Sequence, residues 1–344
     1  MPERPQALFA LTARNVPHLF PPELLARLRA YVDIDPALVA HDFTDPRVRR
    51  VLARTEVLVT GWGCPRLDAA ALEAAPRLRA VLHAAGSVKG FTTPEVWRRG
   101  IVVSSAAEAN ALPVAEYALA MILLAGKDVL ARRDLLRTRR TFRDGDGDGD
   151  IDPGTGNHGI GNHGRRVGVI GASRVGRRLI HLLRPFDVRV SLTDPYVDPT
   201  EAARLGVPLL PLDDLLRTSD IVTLHAPDTA EARHLLGARE LALMPTGSVL
   251  VNTARGALVD HDALTGELRA GRLSAVLDVT DPEPLPPDSP LFDLPNAVIT
   301  PHVAGSQGNE LARLGLTVVQ EAERLVSGSA LAHAVDPAVL EHSA

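Results

Sequence analysis

The sequence predicts an α/β protein of two domains, the larger of which is built on a doubly wound parallel sheet. Three observations lead to this prediction. The chain has 344 residues, which is more than one hydrophobic core usually holds. Apolar residues make up 45% of it and charged residues 23%, a composition typical of a folded globular protein. In the second half, short apolar runs alternate with helical patterns, as the strands and helices of such a sheet do.

The second half supplies the larger sheet. Several of its apolar runs have no polar face, which is typical of strands that are buried on both sides in a parallel sheet. The predicted strands lie at 166–171, 188–193, 220–225, 248–252, 274–279 and 297–300, and the predicted helices at 175–185, 212–217, 238–244 and 260–270. Alternating strands and helices indicate right-handed crossovers between parallel neighbours.

The first half predicts a smaller α/β domain and a long helix. The predicted strands of the smaller domain lie at 7–11, 56–60, 78–84 and 101–104. One helix is predicted over 111–140 and another over 308–326. We therefore expect a discontinuous domain of residues 1–110 and 304–344, a second domain of residues 111–303, and a cleft between them. A helix as long as 111–140 often bridges domains or packs against another subunit.

Residues 144–164 form a Gly- and Asp-rich segment that predicts a flexible solvated loop. The calcium-loop pattern that its acids imitate fails at the twelfth position, which is Thr155 and not an acid. Two histidines without a fixed carboxylate are poor ligands as well, so no metal site is predicted. The side chains considered for metal binding are Asp144, Asp146, Asp148, His158 and His163.

Composition also excludes several classes of protein. The net charge of −5 and the pI of about 6.2 argue against nucleic-acid binding. The single cysteine, Cys64, excludes an intramolecular disulfide framework and a zinc site of the CxxC kind. The longest apolar run, 118–125, is too short to span a bilayer, and no signal-peptide pattern begins the sequence. We expect a cytoplasmic protein with no membrane and no nucleic-acid partner.

A glycine motif follows the first strand of the larger sheet. Gly171, Ser173 and Gly176 occupy the three glycine places of GxGxxG, with serine in the middle. Gly171 allows the tight turn and Gly176 lets the helix lie close to the strand. Asp194 ends the next predicted strand, where an acid can bind ribose hydroxyls and repel a 2′-phosphate. The motif predicts a dinucleotide site that prefers NAD to NADP, with the pyrophosphate at the helix N-terminus.

Three further residues follow later strands of the same sheet. Arg255, Glu283 and His302 each come after a predicted strand, at the edge where open α/β sheets bind ligands. Each one taken alone is an ordinary surface residue. Together they predict an acid–base site.

The chain resembles the D-isomer-specific 2-hydroxyacid dehydrogenase family over roughly residues 50–330. The ordered arginine, glutamate and histidine motifs are more specific than the glycine motif. The matching stretches are PRLRAVLHAAG, RRGIVVSSA, VAEYALAMILL, VGVIGASRVGR, DIVTLHAPDTAEARHLL, LMPTGSVLVNTARGALVD, LDVTDPEPLPPDSPLFDLPN and ITPHVAGS.

The resemblance implies two Rossmann-like domains, an NAD-binding one and a smaller, flavodoxin-like substrate domain. It implies that Arg255 clamps the substrate carboxylate, that His302 is the acid and base, and that Glu283 orients His302. Hydride would pass between the nicotinamide and C2 of a 2-hydroxy or 2-keto acid. The implied cofactor contacts are Gly171, Ser173, Arg174, Val175, Gly176, Asp194, His225, Pro227, Thr253, Ala254, Arg255, Asp278, His302, Ala304 and Gly305.

The family's substrate loop corresponds to residues 83–90. The implied substrate contacts are Ala85, Gly86, Ser87, Lys89 and Arg255. This loop is also where the chain departs most from the family, because His83 replaces the arginine of phosphoglycerate-type members and Lys89 replaces an aspartate. The loss of the arginine weakens the case for a phosphorylated substrate, whereas Lys89 could attract an anionic tail or simply face solvent.

The specific activity stays open at this point. D-3-phosphoglycerate dehydrogenation and glyoxylate or hydroxypyruvate reduction both fit, whereas formate dehydrogenation fits less well because that branch carries glutamine at the Glu283 position. Some relatives act as NAD-sensing corepressors, so a binding protein is the alternative from another class. The resemblance also implies a homodimer with the long helix at its interface.

Overall fold

The computed structural model describes residues 4–140, 160–338 and 340. The chain divides into two compact units, which we call unit 1, within residues 1–112 and 305–343, and unit 2, within residues 113–304. Each unit contains its own parallel sheet with helices packed against it, so the predicted α/β fold class is confirmed.

The strands are β1 (Gln6–Ala10), β2 (Asp33–Val39), β3 (Val57–Thr60), β4 (Ala80–His83), β5 (Val102–Ser105), β6 (Arg165–Ile170), β7 (Val188–Thr193), β8 (Ile221–Leu224), β9 (Val249–Asn252), β10 (Ser274–Leu277) and β11 (Ala297–Ile299). The helices are α1 (Val16–Leu19), α2 (Pro22–Tyr31), α3 (Pro46–Leu52), α4 (Ala69–Ala74), α5 (Pro94–Arg98), α6 (Ala107–Gly126), α7 (Val129–Arg139), α8 (Arg174–Leu183), α9 (Pro199–Leu205), α10 (Leu212–Thr218), α11 (Ala238–Leu243), α12 (His261–Arg269) and α13 (Leu311–Val326).

Unit 1 is a five-stranded sheet in the order β2-β1-β3-β4-β5. Side chains along β1 alternate between two cores, because Ala7 and Phe9 belong to one apolar cluster and Leu8 and Ala10 to the other. The first cluster is completed by buried residues of α13, which returns to this unit from the far end of the chain.

The far edge of unit 1 is covered by a C-terminal segment, residues 331–335. Ser105 donates its N–H to the His333 carbonyl at 3.1 Å, and Val335 donates to the Val103 carbonyl at 2.8 Å. The fully buried Glu321 carboxylate accepts the N–H of Ala332 at 3.1 Å and thereby holds the segment. The edge of β5 is thus paired and not exposed.

Unit 2 is a six-stranded sheet in the order β11-β10-β9-β8-β6-β7. All neighbours are parallel, so the carboxyl ends of its strands lie along one edge of the sheet. Strand order reverses between β6 and β8, which is the position where open α/β sheets bind ligands.

The prediction of a single helix over 111–140 was wrong. α6 ends at Gly126, α7 begins at Val129, and Asp128 between them has a left-handed backbone with φ 53°. The break is fixed from outside the helix, because Asn162 donates to the Leu123 carbonyl at 3.1 Å and Gly161 donates to the Gly126 carbonyl at 2.7 Å. The last carbonyls of α6 therefore have partners that would be lost in a continuous helix.

The structure also contains elements that the sequence did not predict. β2 was missed because it is polar, carries Pro36 and lies at the open edge of its sheet. α9 was missed as well; Asp198 caps it by accepting the N–H of Glu201 at 2.7 Å.

The loop predicted at 144–164 falls mostly outside the described residues, and Asp144, Asp146, Asp148 and His158 are among those not described. His163 is described, and its Nδ1 lies 2.5 Å from Asp187 Oδ2 on the surface. In the described part of the chain, no cluster of three or more His, Cys, Asp or Glu side chains could hold a metal ion.

One described helix, α6, is long and apolar enough to cross a membrane by length and composition alone. Core helices of soluble proteins pass the same test, and Ala115, Ala118 and Ile122 of this helix are buried in the apolar cluster against the sheet of unit 2.

Candidate functional site

The glycine turn of unit 2 has room only for glycine at two positions. Gly171 follows β6 with φ +97°, and a Cβ there would lie 2.6 Å from the backbone nitrogen of Ala226. A Cβ on Gly176 would clash with the Gly171 carbonyl. The turn therefore brings β6, the start of α8 and the end of β8 into close contact, as a dinucleotide turn requires.

Serine fits the middle place of the motif because the backbone there does not need glycine. Ser173 has φ −63° and caps α8, with its Oγ accepting the N–H of Gly176 at 3.4 Å. Arg174, the first residue of α8, is exposed, whereas Val175 packs against the apolar cluster under the turn. The remaining N–H groups of the first turn of α8 suit a phosphate.

Asp194 ties the second strand to the glycine turn. Its Oδ2 accepts the N–H of Ala172 at 2.6 Å, and its Oδ1 accepts the N–H of Tyr196 at 2.8 Å. Each carboxylate oxygen keeps a second lone pair, so the half-buried group can still accept bonds from ribose hydroxyls. These residues fit the adenosine half of NAD.

The predicted contact at His225 is limited by burial. The ring is 2% exposed, its Nε2 lies 2.9 Å from Thr223 Oγ1, and burial lowers its pKa to about 3. His225 is therefore a neutral core residue, and only its backbone can meet a nucleotide. Pro227, two residues later, is half-buried.

Three adjacent strands, β9, β10 and β11, carry the predicted acid–base residues. His302 Nδ1 lies 2.6 Å from Glu283 Oε1, with both side chains about half exposed. His302 has a left-handed backbone with φ 54°, and its N–H donates to the carbonyls of Thr300 at 2.9 Å and Asp278 at 3.0 Å. The glutamate occupies one ring nitrogen and leaves Nε2 available, an arrangement that fixes the tautomer of a proton-transferring imidazole.

Asp278 serves the loop of His302. The carboxylate is 2% exposed and accepts the N–H of Val303 on Oδ1 and that of Ala304 on Oδ2, both at 2.8 Å. Both oxygens thus hold the histidine loop in place, and the contact of Asp278 to the nicotinamide stays a prediction.

The loop of Arg255 is fixed by its neighbours. Asn252 donates from Nδ2 to the Arg255 carbonyl at 2.9 Å and accepts the N–H of Ala254 at 3.0 Å. A Cβ on Gly256 would clash with the Thr280 backbone, so this loop lies directly against the loop that leads to Glu283. The Arg255 guanidinium is exposed, donates to the Ala254 carbonyl at 2.6 Å and has no carboxylate within 4.0 Å in the described residues. It is available for an acid from outside the protein.

Thr253 is buried beside these loops, and its Oγ1 has no hydrogen-bond partner among the described residues. An orphaned buried hydroxyl at a strand end is an observation that favours a bound polar group. Together with the glycine turn and Asp194, it fits a dinucleotide that runs along this edge of unit 2.

In unit 1, hydrogen bonds from buried side chains hold the predicted substrate loop. His83 is buried, its Nδ1 lies 2.9 Å from Thr60 Oγ1, and its ring is hydrogen-bonded to the Ser87 backbone. Burial lowers the pKa of His83 to about 3. Ser105 Oγ donates to the Gly86 carbonyl at 2.5 Å, with the Ala85 carbonyl at 3.3 Å. His83 is therefore a neutral support for the loop and brings no positive charge to it.

The outer side of this loop is polar through its backbone. The N–H groups of Gly86 and Ser87 make no backbone hydrogen bond in the described chain, as the predicted carboxylate contacts require. Lys89 is exposed at the end of the loop. Asn110 was not predicted as a site residue. Its Nδ2 lies 3.7 Å from the place of a Cβ on Gly86, and its Oδ1 accepts the N–H of Ser306 at 3.0 Å. Gly305 lies beside the same amide.

Comparison with known proteins identifies this set of motifs. The family model described as D-isomer specific 2-hydroxyacid dehydrogenase, NAD binding domain, matches residues 129–304. The chain is 35% identical over 271 residues to the D-3-phosphoglycerate dehydrogenase of Mycobacterium bovis, covering 78% of this chain and 49% of that protein. It is 32% identical to the glyoxylate reductase of Aeropyrum pernix, covering 89% of both chains.

A solved structure of a phosphoglycerate oxidoreductase from Rhizobium etli superposes with a TM-score of 0.78 at 25% identity, covering 97% of this chain and 99% of that one. The chain spans about half the length of the phosphoglycerate dehydrogenases it matches, with 49–53% of each covered. Unit 2 is an NAD-binding domain, and the chain belongs to the D-isomer specific 2-hydroxyacid dehydrogenase family.

Proposed function

We propose that the protein is an NAD-dependent oxidoreductase that interconverts 2-hydroxy and 2-keto acids. The observation that carries the proposal is the 2.6 Å contact between His302 Nδ1 and Glu283 Oε1. The two residues lie on the loops after β11 and β10, and the Arg255 guanidinium lies on the loop after β9, which is the next strand of the sheet. Family membership and the glycine turn support the same activity.

Each group has a distinct part in the proposed reaction. The bound nicotinamide supplies or accepts the hydride at C2 of the substrate. Arg255 pairs with the substrate carboxylate in a two-point contact, for which a guanidinium is shaped and an ammonium is not. His302 gives a proton from Nε2 to the forming alkoxide in reduction and takes it back in oxidation, while Glu283 balances the imidazolium charge.

The direct test is NADH oxidation by the purified protein with a panel of 2-keto acids. Turnover of at least one of them supports the proposal, with a D-configured product wherever C2 of the product is a stereocentre. If NADH binds but none of the panel is reduced, the protein is instead a binding protein of the corepressor kind.

Two specific activities remain candidates, and relatives with both names match the chain. The buried, neutral His83 favours a small non-phosphorylated acid such as glyoxylate or hydroxypyruvate, because it leaves Lys89 as the one cation of residues 83–90. We expect kcat/KM for these acids to exceed that for 3-phosphohydroxypyruvate. Lys89→Ala should then change kcat/KM only for the phosphorylated substrate. A general loss would assign Lys89 to the folding of the loop.

We further propose that NADH is preferred to NADPH, since the Asp194 carboxylate would repel a 2′-phosphate. The comparison is kcat/KM with each cofactor, and equal values would contradict this assignment. A cytoplasmic location fits an enzyme that depends on the intracellular nicotinamide pool, and cell fractionation tests it.

Finally, we propose a homodimer through α6 and α7. Val129 and Leu136 of α7 are exposed to 39% and 38%, a high exposure for apolar side chains. Sedimentation should give a dimer that Leu136→Arg weakens. An unchanged dimer in this variant would place the interface elsewhere.

A further inference from the structure

A chain of hydrogen bonds links helix α6 to the loop that carries His302. Tyr117, on α6, has its hydroxyl 2.6 Å from Thr300 Oγ1, and Thr300 Oγ1 donates to Asp278 Oδ1 at 2.6 Å. A threonine hydroxyl has a single hydrogen, and here that hydrogen is used in the bond to the Asp278 carboxylate. The phenol must therefore be the donor to Thr300, so the direction of the chain is fixed from Tyr117 to Asp278.

The carboxylate at the end of this chain accepts further hydrogen bonds. Asp278 is 2% exposed and also accepts the N–H groups of Val303 and Ala304, on either side of the carboxylate. These amides belong to the two residues that directly follow His302 in sequence. Since His302 has a left-handed backbone, which costs free energy for a residue with a Cβ, the surrounding bonds must hold it there.

The Tyr117 phenol is suited to act as a permanent hydrogen-bond donor. The residue is half-buried, and burial raises the pKa of its phenol, with the charge of Asp278 acting in the same direction. The hydroxyl thus keeps its proton at neutral pH and remains a hydrogen-bond donor.

We propose that Tyr117 and Thr300 are positioning residues that hold the His302 loop through Asp278, so that the imidazole stays on Glu283. The part of this inference that concerns turnover rests on the proposed function. The part that concerns the loop does not, and it can be measured on the protein alone.

The test uses variants that remove one hydroxyl each. Thr300→Val keeps the branched shape and removes the donor to Asp278, whereas Thr300→Ser keeps the donor. Tyr117→Phe removes the first hydroxyl of the chain, and Tyr31→Phe is the matched control, because its phenol bonds Glu323 in unit 1. Hydrogen exchange of the amides at 303 and 304 is measured first, without substrate or cofactor.

Thr300→Val should accelerate exchange at these two amides and lower kcat, each by about tenfold, the effect of one lost charge-assisted bond. Tyr117→Phe should change both by about threefold, in the same direction, while KM for NADH stays within about twofold. Thr300→Ser and Tyr31→Phe should match the wild type. The double variant Tyr117→Phe/Thr300→Val should equal Thr300→Val alone, because the phenol acts only through the threonine.

Unchanged exchange in Tyr117→Phe would overturn the proposal, and so would a double variant whose effect is the product of the two single effects. A wild-type protein that reduces no 2-keto acid but shows the expected exchange pattern contradicts the proposed function and supports the hydrogen-bond chain. The two ideas therefore fail separately.

Discussion

Unit 1 and unit 2 each bury a histidine against a threonine at the carboxyl end of a parallel strand. His83 lies 2.9 Å from Thr60, and His225 lies 2.9 Å from Thr223. Burial lowers the pKa of both rings to about 3. The units differ in what the loops at their strand ends carry. Unit 1 presents the backbone of residues 84–90, whereas unit 2 presents charged side chains on the loops that follow β9, β10 and β11.

The difference shows how one residue type can have two roles in the same architecture. His302 is half exposed and paired with a carboxylate, so it can exchange protons with a ligand, whereas His83 and His225 cannot. Backbone N–H groups suit recognition of a carboxylate, and titrating side chains suit its chemical conversion. The following predictions test this division between the units.

The largest expected effect is the loss of the proposed acid and base in unit 2. His302→Ala should lower kcat by about 10³-fold, within the range for a general acid–base group, while NADH affinity changes little. Steady-state kinetics measure kcat, and NADH fluorescence titration measures the affinity for NADH. The control is His163→Ala, which removes another exposed histidine–carboxylate pair of unit 2 and should leave kcat unchanged. A similar loss in both variants would contradict the role of His302.

Replacing the guanidinium should have the next largest effect. Arg255→Lys keeps the charge but loses the two-point geometry, so kcat/KM for the keto acid should fall by about 10- to 100-fold. Arg239→Lys is the matched change, since Arg239 pairs with Asp213 on the surface. Equal kcat/KM for wild type and Arg255→Lys would show that charge alone suffices.

The buried histidines predict a dependence of stability on pH. Both pKa values lie near 3 in the folded protein, below the ordinary histidine value of 6.5, so the unfolded chain takes up protons first as pH falls. Their contribution is complete above pH 6.5 and decreases as pH falls towards 3. The loss at pH 5 is on the order of 2 kcal/mol per histidine. Urea unfolding at pH 5 and at a pH above 6.5 measures this loss.

Substitution separates the two units in this experiment. His83→Gln should remove the contribution of unit 1 and His225→Gln that of unit 2, with the pH dependence of unfolding reduced by about half in each. A pH dependence that persists in the double variant would assign the effect to other groups.

The smallest effect concerns packing between loops of unit 2. Gly256→Ala should lower the free energy of unfolding by about 1–3 kcal/mol, because its Cβ meets the Thr280 backbone. Gly266→Ala, in α12 with no atom within 4 Å of the new Cβ, should instead be neutral or stabilising by up to about 1 kcal/mol. Denaturant unfolding compares them, and a neutral Gly256→Ala would show that the two loops can move apart.

The sequence predicted the sheet of unit 2 well, because β6, β8, β9 and β10 are mostly buried and read as apolar runs. β2 was missed because a polar edge strand with Pro36 lacks that signal. The break after Gly126 depends on Asn162, a partner that is distant in sequence.

The site shows the same limit. Arg255, Glu283 and His302 could be found from their motifs, and the structure adds the 2.6 Å contact between the last two. The inward direction of the His83 and His225 rings could not be read from the sequence, because it is set by tertiary packing. Nor could the bonds of Asp278 to the histidine loop, since they join residues that are 25 and 26 positions apart.

The return of α13 to unit 1 has a consequence for synthesis on the ribosome. Leu314, Val318 and Val319 complete an apolar cluster of unit 1, yet they follow residue 112 by about 200 positions. At about 5–20 residues per second, unit 1 waits roughly 10–40 s with one sheet face only partly covered, while unit 2 is made as one continuous stretch. The nascent chain thus offers a chaperone a defined apolar surface for a defined time, and unit 2 is expected to fold first.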